Sequence, residues 1–230
     1  ADSARELSEM GVQRDIHVSA DPVLGGSPDS IEQLQGLEIL KRAEGYRPDK
    51  ETVMVAARSW ADSEKLFSEI AEACDMLMEE NRQIVLVPFH YPEDEEAGKK
   101  IAKKMKHQPV LLTGNYSPVE TMAILKNADI IIGMRLHSLI MGFVLGKPLV
   151  GISYDPKVTS FMQMIRQNLC YDVDSLKAGQ LVFGVNEAEK NRESYLSTWE
   201  KEQPILEKKA KEPVEILRKM YIFRIAIANL

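Results

Sequence analysis

The sequence predicts an α/β fold built on a doubly wound parallel sheet. Three observations predict it. From residue 52 to 153, short aliphatic runs alternate with longer amphipathic stretches, the rhythm of strands joined by helices. Runs such as Asp129-Ile130-Ile131-Ile132-Gly133 are apolar throughout, as strands covered on both faces are. Four such runs end in polar or charged residues, at the sheet edge where ligands bind in this class.

Taken in order, residues 6–10 read as the end of a helix stopped at Gly11, and Ile16 to Ala20 as a short strand. Asp21 to Pro28 is a loop by composition. Ser30 to Ala43 reads as a helix, with Ile31, Leu34, Leu37 and Leu40 near helical spacing. Gly45-Tyr46-Arg47-Pro48-Asp49 is the best linker. Strands follow at 52–57, 83–88, 109–112, 129–133 and 149–153, with helices at 62–81, 94–105, 119–127 and 138–145 between them. Residues 187–221 read as helical and charged, interrupted at Pro204 and Pro213, and Phe223 to Leu230 are largely apolar. The division is 1–46, 47–186 and 187–230.

Composition narrows the function classes. The chain has 230 residues, 44% hydrophobic and 28% charged, as globular domains do. A net charge of −6 argues against a nucleic-acid partner, which needs a basic face. Cys74 and Cys170 sit in apolar, helical-looking contexts without metal-ligand spacing, and read as reduced packing residues of a cytoplasmic protein. No secretory signal is read, and no apolar run approaches the ~20 residues that span a bilayer. No Walker motif, GxGxxG or HExxH occurs, and Gly25-Gly26 lacks the context of a phosphate loop. Neither a metal nor a cofactor is predicted.

The candidate chemistry lies past the strand ends: Arg58-Ser59-Trp60, Phe89-His90-Tyr91, Arg135 with His137, and Tyr154-Asp155-Pro156-Lys157. Arg58 and Arg135 are anion ligands by type, since a guanidinium forks onto carboxylate or phosphate. His137 precedes a helix and suits general-acid work near neutral pH; the alternative is a buried histidine bonded to backbone. His90 is either a rim contact or part of a turn. Ser153, Tyr154 and Asp155 either meet substrate hydroxyls or serve as packing, turn and N-cap residues. Lys147 and the run Lys99, Lys100, Lys103, Lys104 read as solvated, and His17 and His107 as structural.

Ile132-Gly133-Met134-Arg135-Leu136-His137, then Gly151-Ile152-Ser153-Tyr154-Asp155-Pro156-Lys157 and Phe161, resembles the polysaccharide pyruvyl transferases, nearest to the bacterial enzymes that pyruvylate secondary cell-wall polymers. Arg58-Ser59-Trp60, Val87-Pro88-Phe89 and Ala20-Asp21-Pro22 fit the pattern in order, and the resemblance covers about residues 10 to 220. It implies phosphoenolpyruvate as donor and a sugar diol as acceptor, such as N-acetylmannosamine of a lipid-linked precursor, which would bring the protein to the inner face of the membrane. It implies a Rossmann-like fold of the kind that forms the C-terminal domain of glycosyltransferase-B enzymes, and that Arg58, Arg135, Leu136 and His137 lie at the donor site. The product would be a pyruvate ketal that surface-layer proteins recognise. It also implies that residues 1–46 are the end of an N-terminal Rossmann-like domain, so that the chain, which starts at Ala1, is the C-terminal part of a longer enzyme. Two other readings stay open: a nucleotide-sugar glycosyltransferase or epimerase of the same fold, and a non-catalytic binding module.

Overall fold

The structure, a computed structural model, describes residues 2–61 and 63–228. Asp62, expected to begin a helix, and Asn229 and Leu230 of the apolar end lie outside the described residues. The chain divides into two compact units, residues 27–202 and residues 1–26 with 203–230.

Helix α1 (Asp2–Glu9) opens the chain, ahead of Gly11 at φ 93°. The strand expected at Ile16 to Ala20 is absent: these residues are irregular. A short apolar run becomes a strand only when a neighbour takes its backbone bonds, and every strand of the described sheet lies between Thr52 and Asp172. His17 lies 3.2 Å from the Glu212 carboxylate, within the same unit.

In the larger unit, α2 (Gln33–Arg42) precedes the alternation β1 (Thr52–Ala56), α3 (Ser63–Glu79), β2 (Gln83–Leu86), α4 (Glu93–Lys104), β3 (Val110–Leu111), α5 (Pro118–Leu125), β4 (Ile130–Gly133), α6 (Leu136–Val144), β5 (Leu149–Ser153), α7 (Pro156–Met164), β6 (Cys170–Asp172) and α8 (Ala178–Lys190). The six strands are parallel, in the order β3-β2-β1-β4-β5-β6. Helices α3, α4 and α8 cover one face, where Phe67, Ile70, Leu77, Ile84, Ile132, Ile152 and Leu181 are almost wholly buried. Each such side chain contributes about 1.5–3 kcal/mol of burial. Helices α5, α6 and α7 form the other layer, and α2 packs on α5. That contact requires Gly36: a Cβ there would stand 1.9 Å from the Ala123 carbonyl oxygen.

The structure corrects the reading at its C-terminal side. Cys170 begins the edge strand β6 rather than lying in a helix. Helix α8 begins at Ala178, ahead of the expected 187. Helix α9 (Arg192–Ala228) then runs through Pro204 and Pro213 without a break. Each proline removes one backbone donor, a local loss that the flanking turns span. Among the described residues, no helix is long and apolar enough to cross a membrane.

The edge where the strands begin is held by a buried arginine. Arg82, just before β2, has 8% of its side chain exposed and meets Glu51, Glu80 and Glu189. Burial, and then the charge of Glu189, raises the Glu51 pKa. Lys147, expected to be solvated, is half-buried before β5, and desolvation lowers its pKa.

Candidate active site

Strands β1 and β4 are neighbours although β2 and β3 separate them in sequence, so the sheet reverses its winding direction between them. In open α/β sheets the crevice outside the carboxyl ends at this switch point is the usual ligand site. Ala56 pairs with Gly133, and the Met134 N–H donates to the Ala56 carbonyl at 2.9 Å. Arg58 and Arg135 therefore leave adjacent strands two residues past a paired position.

The turn from β4 into α6 is tight for an identifiable reason. A Cβ on Gly133 would stand 2.5 Å from Ser138 Oγ and 2.6 Å from a Leu139 methyl carbon. Glycine lets α6 start directly at the strand end. Ser138 donates to the Arg135 carbonyl through its N–H (3.0 Å) and its hydroxyl (2.6 Å). Arg135 occupies the N-cap position, and its side chain does not cap the helix. Leu136 and His137 are the first two helical residues, Leu136 half-buried and His137 exposed. The first N–H groups of a helix have no partner within it and favour an anion.

The two arginines are held differently. Arg135 Nε and Nη2 donate to the Asp94 carboxylate at 3.0 and 2.6 Å, a two-bond fork. Asp94 has 1% of its side chain exposed and also accepts the N–H groups of Phe89 (3.2 Å) and His90 (2.9 Å). One buried carboxylate thus ties the β2–α4 loop to the β4–α6 turn. A guanidinium has five N–H donors, so three remain on Arg135 beyond this fork. Arg58 is held by rings. Its guanidinium carbon lies 4.9 Å from the Tyr154 centroid and 5.8 Å from that of Trp60. Its Nη1 donates to the Tyr154 hydroxyl at 3.2 Å and its Nε to the Ser59 carbonyl at 3.3 Å. Among the described residues, no carboxylate pairs with Arg58.

The other predicted positions sort by their partners. The Tyr154 ring packs against the core, and its hydroxyl accepts from Arg58 Nη1. Ser153 is buried, its hydroxyl 2.7 Å from Thr159 Oγ1 and donating to the Asp155 carbonyl. The Asp155 carboxylate caps α7 by accepting the Lys157 N–H at 2.8 Å. His90 is exposed at the same edge, its Nδ1 2.8 Å from Glu93. The sequence reading missed Asp94. It stands among Glu93, Glu95 and Glu96 in the first turn of α4, where acidic residues are expected from the helix dipole alone. No local signal marks it out.

The family model of the polysaccharide pyruvyl transferases matches residues 2–156, about two thirds of the sequence. The chain belongs to this family. No curated protein matches it by sequence. Among solved structures, this pyruvyl transferase family member is similar to the Staphylococcus aureus MnaA–UDP co-structure at TM-score 0.69 and 14% identity, covering 96% of this chain and 58% of that one. It is similar to a putative UDP-N-acetylglucosamine 2-epimerase from Listeria monocytogenes at TM-score 0.64 and 12% identity, covering 94% and 56%. It is also similar to the Escherichia coli ADP-heptose heptosyltransferase II at TM-score 0.55 and 13% identity, covering 71% and 53%. The chain spans little more than half the length of these proteins. At such identities the likeness concerns the fold, which is Rossmann-like and of the glycosyltransferase-B type.

Proposed function

We propose that the family member described here takes part in pyruvyl transfer from phosphoenolpyruvate to a sugar diol, N-acetylmannosamine of a cell-wall polymer precursor being the acceptor the motif resemblance implies. The observation that carries the reading is the pair Arg58 and Arg135 on adjoining strands at the switch point, beside the start of α6. Phosphoenolpyruvate carries a phosphate and a carboxylate on one carbon, and two guanidinium groups beside a helix N-terminus suit that pair of charges.

In this mechanism Arg58 and the three open N–H donors of Arg135 bind the two anionic groups, and the first N–H groups of α6 add to them. His137 donates a proton to the methylene carbon, leaving an oxocarbenium-like centre at the neighbouring carbon. One sugar hydroxyl adds there, and its proton returns to the imidazole. The carbon–phosphate oxygen bond then breaks, a second hydroxyl closes the ketal, and its proton leaves with inorganic phosphate. No cofactor enters this sequence. The reaction belongs on the cytoplasmic side of the membrane, where phosphoenolpyruvate and a lipid-linked acceptor meet.

The test is donor choice in the enzyme that carries these residues. The expected result is phosphate release that depends on both phosphoenolpyruvate and a mannosamine-containing acceptor, with the acceptor gaining one pyruvate less one water. Substituting His137→Ala should lower turnover by about 10²–10⁴-fold, the usual contribution of a positioned acid, with donor affinity retained. Turnover with a nucleotide sugar and none with phosphoenolpyruvate would favour the epimerase or glycosyltransferase reading. Full turnover in His137→Ala would remove the imidazole from the mechanism.

A further inference from the structure

A second concavity adjoins the arginine pair. A cleft of about 160 Å³ lies between the β1–α3 loop and the β6–α8 loop, and Trp60, Lys65, Glu69, Val173 and Asp174 line it. Trp60 and Asp174 both follow strand carboxyl ends, so the cleft opens on the same edge as Arg58 and His137. Trp60 is 36% exposed, the extent of a ring kept at a surface rather than sunk into a core. It is braced from within: the Tyr154 ring stands 4.7 Å away at 53°, and the Arg58 guanidinium 5.8 Å away. Its backbone is fixed as well, with the Trp60 N–H donating to Ser63 Oγ at 2.9 Å and the Ser63 hydroxyl bonding back to the Trp60 carbonyl.

The polar wall holds Glu69, Asp174 and Lys65. Glu69 is committed: Lys177 Nζ and the Ala178 N–H each donate to it at 2.9 Å. Asp174 is exposed, and Lys65 Nζ reaches the Asp174 carbonyl at 3.4 Å. An indole at the surface, a carboxylate and an ammonium around one small space match the chemistry of a pyranose. Its C–H face packs on the aromatic ring, and its hydroxyls bond to the charged groups. Size favours a single ring, because sites for drug-sized ligands run from about 300 to 1,000 Å³.

We infer that this cleft is a subsite for one pyranose ring of the saccharide acceptor, with Trp60 as its stacking platform. Naming the ring as the acceptor's rests on the pyruvyl-transfer reading; binding of a monosaccharide there does not. The placement has a mechanistic consequence. The Arg58 guanidinium proposed to hold the donor lies 5.8 Å from the centroid of the ring that would carry the acceptor, so the two subsites adjoin.

The experiment follows the two tryptophan indole N–H signals of the full chain by NMR during titration with N-acetylmannosamine. Trp199 is the internal control, since its indole donates to the Phe143 carbonyl at 2.6 Å within the fold. The expected result is a saturable shift of the Trp60 signal with the Trp199 signal unmoved. Trp60→Ala, read through neighbouring backbone signals, should weaken binding tenfold or more, and Trp60→Phe should retain most of it. No Trp60 response up to about 100 mM, where a millimolar site is filled, overturns the proposal. So does a response to UDP without one to the monosaccharide, or undiminished binding in a folded Trp60→Ala. Phosphoenolpyruvate, titrated separately and read at Arg58 and His137, keeps the two ideas apart. A sugar response without a donor response upholds the subsite and counts against pyruvyl transfer; the converse overturns the subsite alone.

Discussion

The two edges of the sheet use arginine in opposite ways. Where the strands begin, Arg82 is buried and surrounded by Glu51, Glu80 and Glu189, so its charge is spent inside the protein. Where they end, Arg135 has one carboxylate partner and Arg58 is braced by two rings and a phenol hydroxyl. A guanidinium that a fold needs for its own cohesion is matched by carboxylates. One that lacks a full set of carboxylates is oriented without being neutralised, as a guanidinium proposed to hold an external anion needs. Asp94 marks the middle case: it accepts from two donors of Arg135 and leaves three outside the fork.

The sharpest way to break this comparison is at its structural end. Arg82→Met should cost about 1.5–3 kcal/mol of stability, because it removes the charge-assisted hydrogen bonds of a buried guanidinium while its carboxylate partners stay partly solvated. Denaturant unfolding measures it; a loss under about 1 kcal/mol, the scale of a surface pair, would remove the contrast. At the intermediate position, Asp94→Ala should weaken phosphoenolpyruvate binding about 10- to 100-fold, the equivalent of losing charged hydrogen bonds of about 1.5–3 kcal/mol. Asp94→Glu should recover part of it, and calorimetric titration of both variants shows whether the carboxylate aligns the guanidinium or only closes the loop. At the exposed end, Arg58→Lys should reduce donor affinity through loss of the fork and the ring contact. Its stability should fall by no more than about 1 kcal/mol, the scale of a partly exposed cation–π contact. A large fall in stability with unchanged affinity would make Arg58 a second Arg82.

The smallest expected effect concerns pH. The Lys177 ammonium, and then the Ala178 N–H, lower the Glu69 pKa below its ordinary 4.5. A carboxylate lowered on folding contributes stability above its unfolded pKa and loses it as pH falls through the folded value. Glu69→Gln should therefore be less stable than the parent at neutral pH, by less than about 1 kcal/mol for so exposed a pair. The difference should vanish as acid protonates the parent. Thermal unfolding from pH 7 to pH 3 follows it, and a gap that widened in acid would contradict the sign.

The sequence made the central sheet legible because its strands are continuously apolar: 130–133 and 149–153 appear within a residue of where they were read. The three-residue edge strand Cys170–Asp172 carries no period to read, and the run at 16–20 has β-branched residues without a partner in the described sheet. At the site, Arg58, Arg135 and His137 were visible because nothing apolar explains them just past strand ends. Asp94 was not, because an acid in the first turn of a helix already has a local explanation. What distinguishes it is a partner 41 residues away, and no window of sequence contains that.

The most direct test of the account is a crystal structure of the chain with phosphoenolpyruvate bound. The account predicts the donor's phosphate and carboxylate within hydrogen-bond distance of Arg58, of Arg135 beyond its fork to Asp94, and of the first N–H groups of α6, with the methylene carbon facing His137. Phosphoenolpyruvate bound away from the β1–β4 switch point, or both arginines turned inward onto carboxylates in its presence, would contradict it.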